Sequence, residues 1–223
     1  MRHTPSALAL VLLAGAALAP AQERNQVIME GVGTRGLCGP CLTLWATNVT
    51  AHDKVLFQVT DEGAPGSPFT KKPDALTGGL AWLQYRPSGR GTVSVLATVG
   101  GRATAPTFCP PPIDPAGECP PPPSREALRI PYGRPFDVSW GEPVTRVALE
   151  RVVVAPEAHW EHVDVEPRIS DDGRQVHFDG AGLELGSYRV QAVARTEQPL
   201  PAQLVAIEGR PGPEAPGQRR RME

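Results

Sequence analysis

Four cysteines carry the most recognisable chemistry in the chain. They are Cys38, Cys41, Cys109 and Cys119. The first two have the Cys-x-x-Cys spacing that suits reversible dithiol chemistry, whereas an even cysteine count outside the cytosol is typical of structural disulfides. The choice between these interpretations depends on the compartment and on the elements that hold the cysteines.

Residues 1–21 have the layout of a secretory signal peptide. Arg2 precedes an apolar run, Ala7–Ala19, and Ala21 completes an Ala-x-Ala cleavage site. The run is shorter than the ~20 helical residues that span a bilayer, so we predict no transmembrane anchor. We expect a secreted or periplasmic protein of the cell envelope, in which thiols become oxidised.

The sequence Cys38-Gly39-Pro40-Cys41 resembles the active-site motif of thioredoxin-like oxidoreductases. That resemblance implies a thiol–disulfide oxidoreductase, whose first cysteine lies at a helix N-terminus that lowers its pKa. Here residues 42–47 alternate between apolar and polar and predict a strand instead. We therefore expect two structural disulfides. Pairing by proximity in sequence, with Cys109 bonded to Cys119, is favoured over bonds back to the first pair.

The pattern over residues 22–108 predicts a β-sandwich domain. Short alternating runs are bounded by Gly, Pro, Asn and Asp, as in antiparallel sandwiches. These runs are Gln26–Glu30, Leu42–Thr47, Lys54–Thr60, Leu80–Tyr85, Thr92–Val99 and Arg102–Phe108. Gly100 and Gly101 predict a two-residue hairpin turn, and Gly63–Gly79 is interpreted as a long loop available for docking.

Residues 109–128 form a proline-rich, cysteine-containing linker. Eleven prolines fall between Pro106 and Pro135. Proline runs favour an extended polyproline II conformation, so we expect a semi-rigid spacer between two domains. The tail 210–223, which carries Arg219-Arg220-Arg221, is predicted to be disordered.

Residues 129–209 predict a second antiparallel β-sandwich, so the fold class is all-β with two domains. The stretches Phe136–Val144, Ile169–Phe178 and Leu185–Val190 resemble the strands and turns of bacterial Ig-like domains, with fibronectin type III as a neighbouring family. Tyr188 follows a Leu-x-x-Gly corner and is predicted to form a tyrosine corner. In the first half of the chain, only the segment Tyr85–Val93 resembles these Ig-like domains.

The histidines give a metal-carrier alternative. Copper-binding sandwiches related to these domains carry histidine ligands near the mature N-terminus. The predicted mature N-terminus of this chain, Gln22-Glu23-Arg24-Asn25, contains no histidine. His159 and His162 would need a third ligand, such as His177 or Asp164, to hold Zn²⁺ or Cu²⁺. Residues three apart on a strand face opposite ways, so we expect no metal and no other cofactor.

The remaining features favour a non-enzymatic protein. The formal net charge of −2 argues against nucleic-acid binding, and the common hydrolase and nucleotide motifs are missing from the sequence. Strand patterns place Trp45, Trp82 and Trp140 in cores, whereas Trp160 is expected to be exposed. We therefore predict a binding or structural role, with Trp160, His159 and His162 as a candidate surface for an envelope or extracellular protein or polysaccharide. The oxidoreductase and the copper carrier remain the alternatives.

Overall fold

The computed structural model describes residues 25–33, 35–112 and 117–209. The predicted signal peptide and the tail 210–223 lie outside these residues. The regular structure that is described is entirely β, in seventeen strands. None of the described residues belongs to a helix long and apolar enough to span a bilayer.

The N-terminal sandwich contains nine strands. They are β1 (Val27–Val32), β2 (Cys38–Ala46), β3 (Val55–Asp61), β4 (Phe69–Lys71), β5 (Ala75–Thr77), β6 (Leu80–Tyr85), β7 (Val93–Val99), β8 (Arg102–Ala103) and β9 (Thr107–Cys109). One sheet has the order β1-β2-β6-β5. The other has the order β4-β3-β7-β8, with β9 also paired to β7.

This strand order is that of an immunoglobulin-type sandwich. In the usual lettering the sheets read A-B-E-D and C′-C-F-G. The alternation that predicted β3 buries Val55, Phe57 and Val59 in the core while Gln58 is exposed. Gly100 and Gly101 both have positive φ, at 55° and 84°, and form the predicted turn between β7 and β8.

The segment Gly63–Gly79 is not the long loop that the sequence predicted, because it contains β4 and β5. Each of these strands has three residues, too few to show a period of two. Phe69 packs against Tyr85, with ring centroids 5.7 Å apart. β4 pairs antiparallel with β3 at the sheet edge.

The C-terminal sandwich contains eight strands. They are β10 (Leu128–Pro131), β11 (Phe136–Ser139), β12 (Val144–Val153), β13 (His159–Val163), β14 (Arg168–Ile169), β15 (Gln175–Phe178), β16 (Gly186–Ala194) and β17 (Gln203–Glu208). The sheets have the orders β10-β17-β16-β12-β13 and β11-β15-β14. They correspond to A′-G-F-C-C′ and B-E-D, which confirms the predicted Ig-like sandwich.

Tyr188 forms the predicted tyrosine corner. It lies near the start of β16, the F strand, and its hydroxyl donates a 2.8 Å hydrogen bond to the carbonyl oxygen of Glu184. The ring is buried in the core, with 2% of the residue exposed. The hydrogen bond satisfies the phenol inside the sandwich and ties the turn to the strand.

A buried carboxylate ties the corresponding corner of the N-terminal sandwich. Asp61 is fully buried, and its oxygens accept hydrogen bonds from the Tyr85 hydroxyl at 2.7 Å, the Ser88 hydroxyl at 2.6 Å and the Ser88 N–H at 2.7 Å. Burial alone would raise the pKa of Asp61, but the hydrogen bonds from Ser88, Tyr85 and Gly63 outweigh it and lower the pKa. Burial and the Asp61 charge raise the pKa of Tyr85.

The disulfides join Cys38 to Cys109 and Cys41 to Cys119. The predicted pairing by proximity in sequence is therefore wrong. Cys38 and Cys41 both lie in β2, where residues three apart are separated by roughly 10 Å and face opposite ways. A disulfide needs Cα atoms within about 7 Å, and each of the two observed bonds links β2 to a later segment.

Candidate functional site

The two sandwiches contact each other through sheet faces. The contact cluster consists of buried apolar side chains from β1, β2, β6 and β17. They are Ile28, Trp45, Leu80, Trp82 and Leu204. Trp160 from β13 packs against this cluster and meets Trp45 edge to face, with ring centroids 5.2 Å apart. The proline-rich segment therefore does not hold the sandwiches apart, contrary to the spacer prediction.

Arg189 joins the two sandwiches electrostatically. Only 5% of this residue is exposed. Its Nη1 donates to Glu30 Oε2 and its Nε to Glu150 Oε2, both at 2.6 Å. The guanidinium also lies over the Trp160 ring, 4.2 Å from the centroid. A buried cation with two carboxylates and an aromatic face is well compensated, and this group connects the two sandwiches.

Gln26 supplies a second link between the sandwiches. Its Nε2 donates to the carbonyl oxygen of Val154, and its Oε1 accepts from the N–H of Ala158, both at 2.7 Å. These two hydrogen bonds attach the residue before β1 to the β12–β13 turn. Ser187 at the start of β16 adds a hydrogen bond to the carbonyl oxygen of Gly78.

Beside this contact lies a cleft of about 900 Å³ between the sandwiches. One wall comes from β1, β2 and the proline-rich segment, and the opposite wall from β12, β16 and residues 199–202. Its lining includes Glu30, Pro40, Cys41, Thr43, Glu118, Pro120, Pro121, Thr145, Arg146, Val147, Ala148, Arg189, Gln191, Val193, Pro199, Leu200 and Ala202. The volume lies in the range typical of ligand sites.

Charged side chains line both walls, and the two cations already have carboxylate partners: Arg189 bonds to Glu30 and Glu150, and Arg146 forms an exposed ion pair with Glu197. Glu30 and Glu118 lie on the N-terminal side and Arg146 and Arg189 on the C-terminal side. The pairing of β12 with β16 sets the order of the side chains along the C-terminal wall. Glu150 pairs with Arg189, Ala148 with Gln191 and Arg146 with Val193. Moving away from the contact cluster, the wall thus runs from the buried Arg189 through Gln191 to the exposed Arg146.

The proline-rich segment forms the roof of the cleft. We call Gly117–Pro123 the roof segment. The Cys41–Cys119 disulfide attaches it to β2, and Gln84 Nε2 donates to the Pro120 carbonyl oxygen at 2.9 Å. Beyond it, Ser124 bonds to Ala202 and Leu204 of the C-terminal sandwich. The roof segment therefore bridges both walls.

The predicted site residues are not brought together. Cys38 and Cys41 lie in a strand and bond to different partners, so the interpretation as a thioredoxin-like dithiol is wrong. His159 and His162 lie on the edge strand β13, whereas His177 belongs to the other sheet and contacts Asp137 at 2.8 Å. Among the described residues no three His, Cys, Asp or Glu side chains form a metal-binding group.

The tryptophans differ from the prediction in one respect. Trp45, Trp82 and Trp140 are buried, as their strand patterns indicated. Trp160 is half-buried in the contact between the sandwiches rather than exposed. The candidate surface of Trp160, His159 and His162 is therefore reduced to the two histidines, and whether they bind a partner stays a prediction.

Sequence reasoning missed Glu30, Arg189 and the cleft. The one local sign of such a contact is a charged side chain within an otherwise apolar strand segment, as in Tyr188-Arg189-Val190. This pattern does not reveal which residue pairs with Arg189, because Glu30 and Arg189 are 159 residues apart in the chain.

No model of a known protein family matches the chain, and no curated protein matches it. Solved structures similar to it include the titin Ig tandem domains A164-A165, at 12% identity over 78% of this chain and 91% of that chain with a TM-score of 0.25. The tandem Ig repeats of Dlar show 12% identity over 77% and 91%, with a TM-score of 0.25. A third is the Bacteroides ovatus mixed-linkage glucan utilization locus protein SGBP-B, in complex with a mixed-linkage heptasaccharide, at 14% identity over 81% and 46% with a TM-score of 0.25. The Ig-like assignment made above depends on the strand order within each sandwich.

Proposed function

We propose that this chain is a non-enzymatic, exported binding protein that holds an extended polypeptide in the cleft between its two sandwiches. The observation that carries the proposal is the cleft itself, which has Glu118 on one wall and Arg146 on the other. Export is supported by the predicted signal peptide and by the two disulfides, which persist in oxidising compartments.

The cleft offers the groups that an extended polypeptide needs. Gln191 is exposed on its wall and can pair with both backbone N–H and C=O groups of a ligand. The exposed Thr145 hydroxyl donates to the carbonyl oxygens of Val193 and Ala194, and its oxygen can accept from a ligand N–H. Val147, Leu200 and the prolines supply apolar contact for side chains between these polar positions. Glu118 can pair with a basic residue of the segment, and an acidic residue of the segment can replace Glu197, which is the exposed partner of Arg146 in the free protein.

A polysaccharide fits the cleft less well. Sugar rings are usually bound by stacking on exposed aromatic faces, and among the described residues that line the cleft there is no tryptophan, tyrosine or phenylalanine. The indole of Trp45 instead donates to Glu30 inside the contact between the sandwiches. We therefore favour the polypeptide.

Charge reversal in the cleft tests the proposal. The probes are fluorescein-labelled twelve-residue peptides in which a Lys and a Glu occupy varied positions on a Val/Thr/Gly background, and the readout is fluorescence anisotropy. We expect a subset to bind, and Arg146→Glu to weaken that subset by about tenfold while favouring peptides whose Glu is replaced by Lys. Arg168→Glu, an exposed change in β14 on the other sheet, is the matched control.

Two outcomes would overturn the proposal. One is equal weakening by Arg146→Glu and Arg168→Glu, which would mean that binding depends on overall charge. The other is binding of oligosaccharides measured in parallel, with no peptide bound.

A further inference from the structure

The two disulfides differ in their surroundings. Cys38 and Cys109 are 1% and 0% exposed and belong to the core of the N-terminal sandwich. Cys119, by contrast, is half-buried in the roof segment, whereas its partner Cys41 lines the cleft with 5% of the residue exposed. An external thiol can therefore approach Cys119 in the folded protein but not Cys109.

A positive charge lies beside the accessible sulfur. Nη2 of Arg86 is 3.6 Å from Cys119 Sγ, and this arginine side chain is at the surface. A neighbouring guanidinium favours the thiolate of a cysteine, which makes that sulfur a better leaving group in thiol–disulfide exchange. The buried pair Cys38 and Cys109 is instead enclosed by apolar side chains.

We propose that the Cys41–Cys119 disulfide is a site of thiol–disulfide exchange with a dithiol protein outside the cytosol. A thiolate of that protein attacks Cys119 Sγ, the S–S bond to Cys41 breaks, and Cys41 leaves as a thiolate that takes up a proton. The second thiolate of the partner then attacks the mixed disulfide and releases Cys119 as a thiolate beside Arg86. Two electrons pass from the partner, which ends as a disulfide, to the cysteine pair.

Reduction at this site frees the roof segment. Without the covalent bond, two side-chain hydrogen bonds connect it to the N-terminal sandwich among the described residues, from Gln84 to the Pro120 carbonyl oxygen and from Arg86 to Cys119 Sγ, and both lie at the surface. Ser124 continues to hold the following residues to the C-terminal sandwich. The N-terminal sandwich stays closed, because the Cys38–Cys109 disulfide is unaffected. The exchange thus opens the cleft and leaves both folds intact, and it does not require that the cleft holds a ligand.

Differential alkylation of the folded, oxidised protein tests this inference. The protein is titrated with a bacterial thioredoxin and its reductase, free thiols are alkylated, and each cysteine is quantified by peptide mass spectrometry. We expect Cys41 and Cys119 to be alkylated at a reductant concentration roughly tenfold below that needed for Cys38 and Cys109. Arg86→Gln should slow exchange several-fold, whereas Arg102→Gln, an exposed change in β8, should leave it unchanged.

A second measurement follows the roof segment. Glutamyl endopeptidase cleaves after Glu118, and we expect reduction to accelerate this cleavage without new cuts in the sandwiches. Joint reduction of both disulfides, prior reduction of Cys38–Cys109, or equal exchange rates in Arg86→Gln and the parent protein would overturn the inference. Cys41→Ser/Cys119→Ser should reproduce the fast cleavage without reductant, and slow cleavage in this variant would also contradict it.

Discussion

The N-terminal and C-terminal sandwiches tie the same corner in different ways. In the C-terminal sandwich Tyr188 on the F strand donates to the carbonyl of Glu184. In the N-terminal sandwich the F strand begins with Val93, and the tyrosine hydroxyl comes from the E strand instead, where Tyr85 donates to Asp61. Each sandwich thus has a buried tyrosine whose hydroxyl forms a hydrogen bond at this corner. The tyrosine belongs to the F strand in the C-terminal sandwich and to the E strand in the N-terminal one.

The two sandwiches also differ in covalent bonding. Both disulfides attach to β2 of the N-terminal sandwich, whereas residues 129–209 contain no cysteine. The C-terminal sandwich therefore depends on noncovalent contacts, for example on the stacked rings of Phe136 and Phe178, whose centroids are 5.1 Å apart. Reducing conditions should therefore lower the stability of the N-terminal sandwich more than that of the C-terminal sandwich.

Removing the buried disulfide should give the largest effect. Cys38→Ala/Cys109→Ala leaves the Cys41–Cys119 bond in place, so the deleted cross-link closes a loop of only about 15 residues, which corresponds to about 3 kcal/mol of unfolding free energy. The loss of two buried sulfur atoms adds about 1 kcal/mol. Hydrogen exchange at increasing urea concentration measures this by strand. We expect β2, β3 and β7 to lose protection while β15 and β16 keep theirs. Equal losses in both halves would show that they unfold as one cooperative unit.

Asp61→Asn should give the next largest effect. The substitution keeps the size of the side chain but replaces one acceptor oxygen with an NH₂ group, which then faces donors from Ser88, Tyr85 or Gly63. We expect a loss of about 3 kcal/mol, because a buried hydrogen-bond network would be left partly unsatisfied. Urea unfolding monitored by hydrogen exchange of β3 and β6 checks the value, and Asp53→Asn, in an exposed turn, is the control.

The same carboxylate makes the N-terminal sandwich sensitive to acid. The pKa of Asp61 is lower in the folded protein than its ordinary value, which is about 3.9 in an unfolded chain. Its stabilising contribution is therefore complete above that value and is lost as the pH falls through the folded pKa. Between pH 5 and pH 2 the N-terminal strands should lose more stability in the parent protein than in Asp61→Asn. Parallel pH profiles in the two proteins would contradict this assignment.

Sequence reasoning succeeded where the signal was local. The alternation in β3 and the Gly100-Gly101 turn each involve neighbouring residues, as does the Tyr188 corner, whose bond spans four residues. The signals needed for these elements therefore lay within one strand or turn. The two Ig-like sandwiches could be predicted from such pieces.

Sequence reasoning failed where the contact joins distant segments. The bond between Cys38 and Cys109 joins two strands, and the sequence does not show that β2 and β9 lie side by side. Trp160 was expected to be exposed because no local pattern buries it, yet Trp45 from the other sandwich covers it. The cleft was missed for the same reason, since each wall belongs to a different sandwich.

Tyr188→Phe should give the smallest effect and the sharpest comparison between the two corners. It deletes one hydroxyl and leaves the Glu184 carbonyl, next to solvent, free to bond to water, so we expect a loss of about 1 kcal/mol. Tyr132→Phe is the matched control, because Tyr132 is 40% exposed in the same sandwich and should change stability by less than about 0.5 kcal/mol. Urea unfolding followed by hydrogen exchange of β16 measures both. If Tyr188→Phe cost as much unfolding free energy as Asp61→Asn, the neutral corner and the charged corner would contribute equally to stability, and the two sandwiches would not differ in this respect.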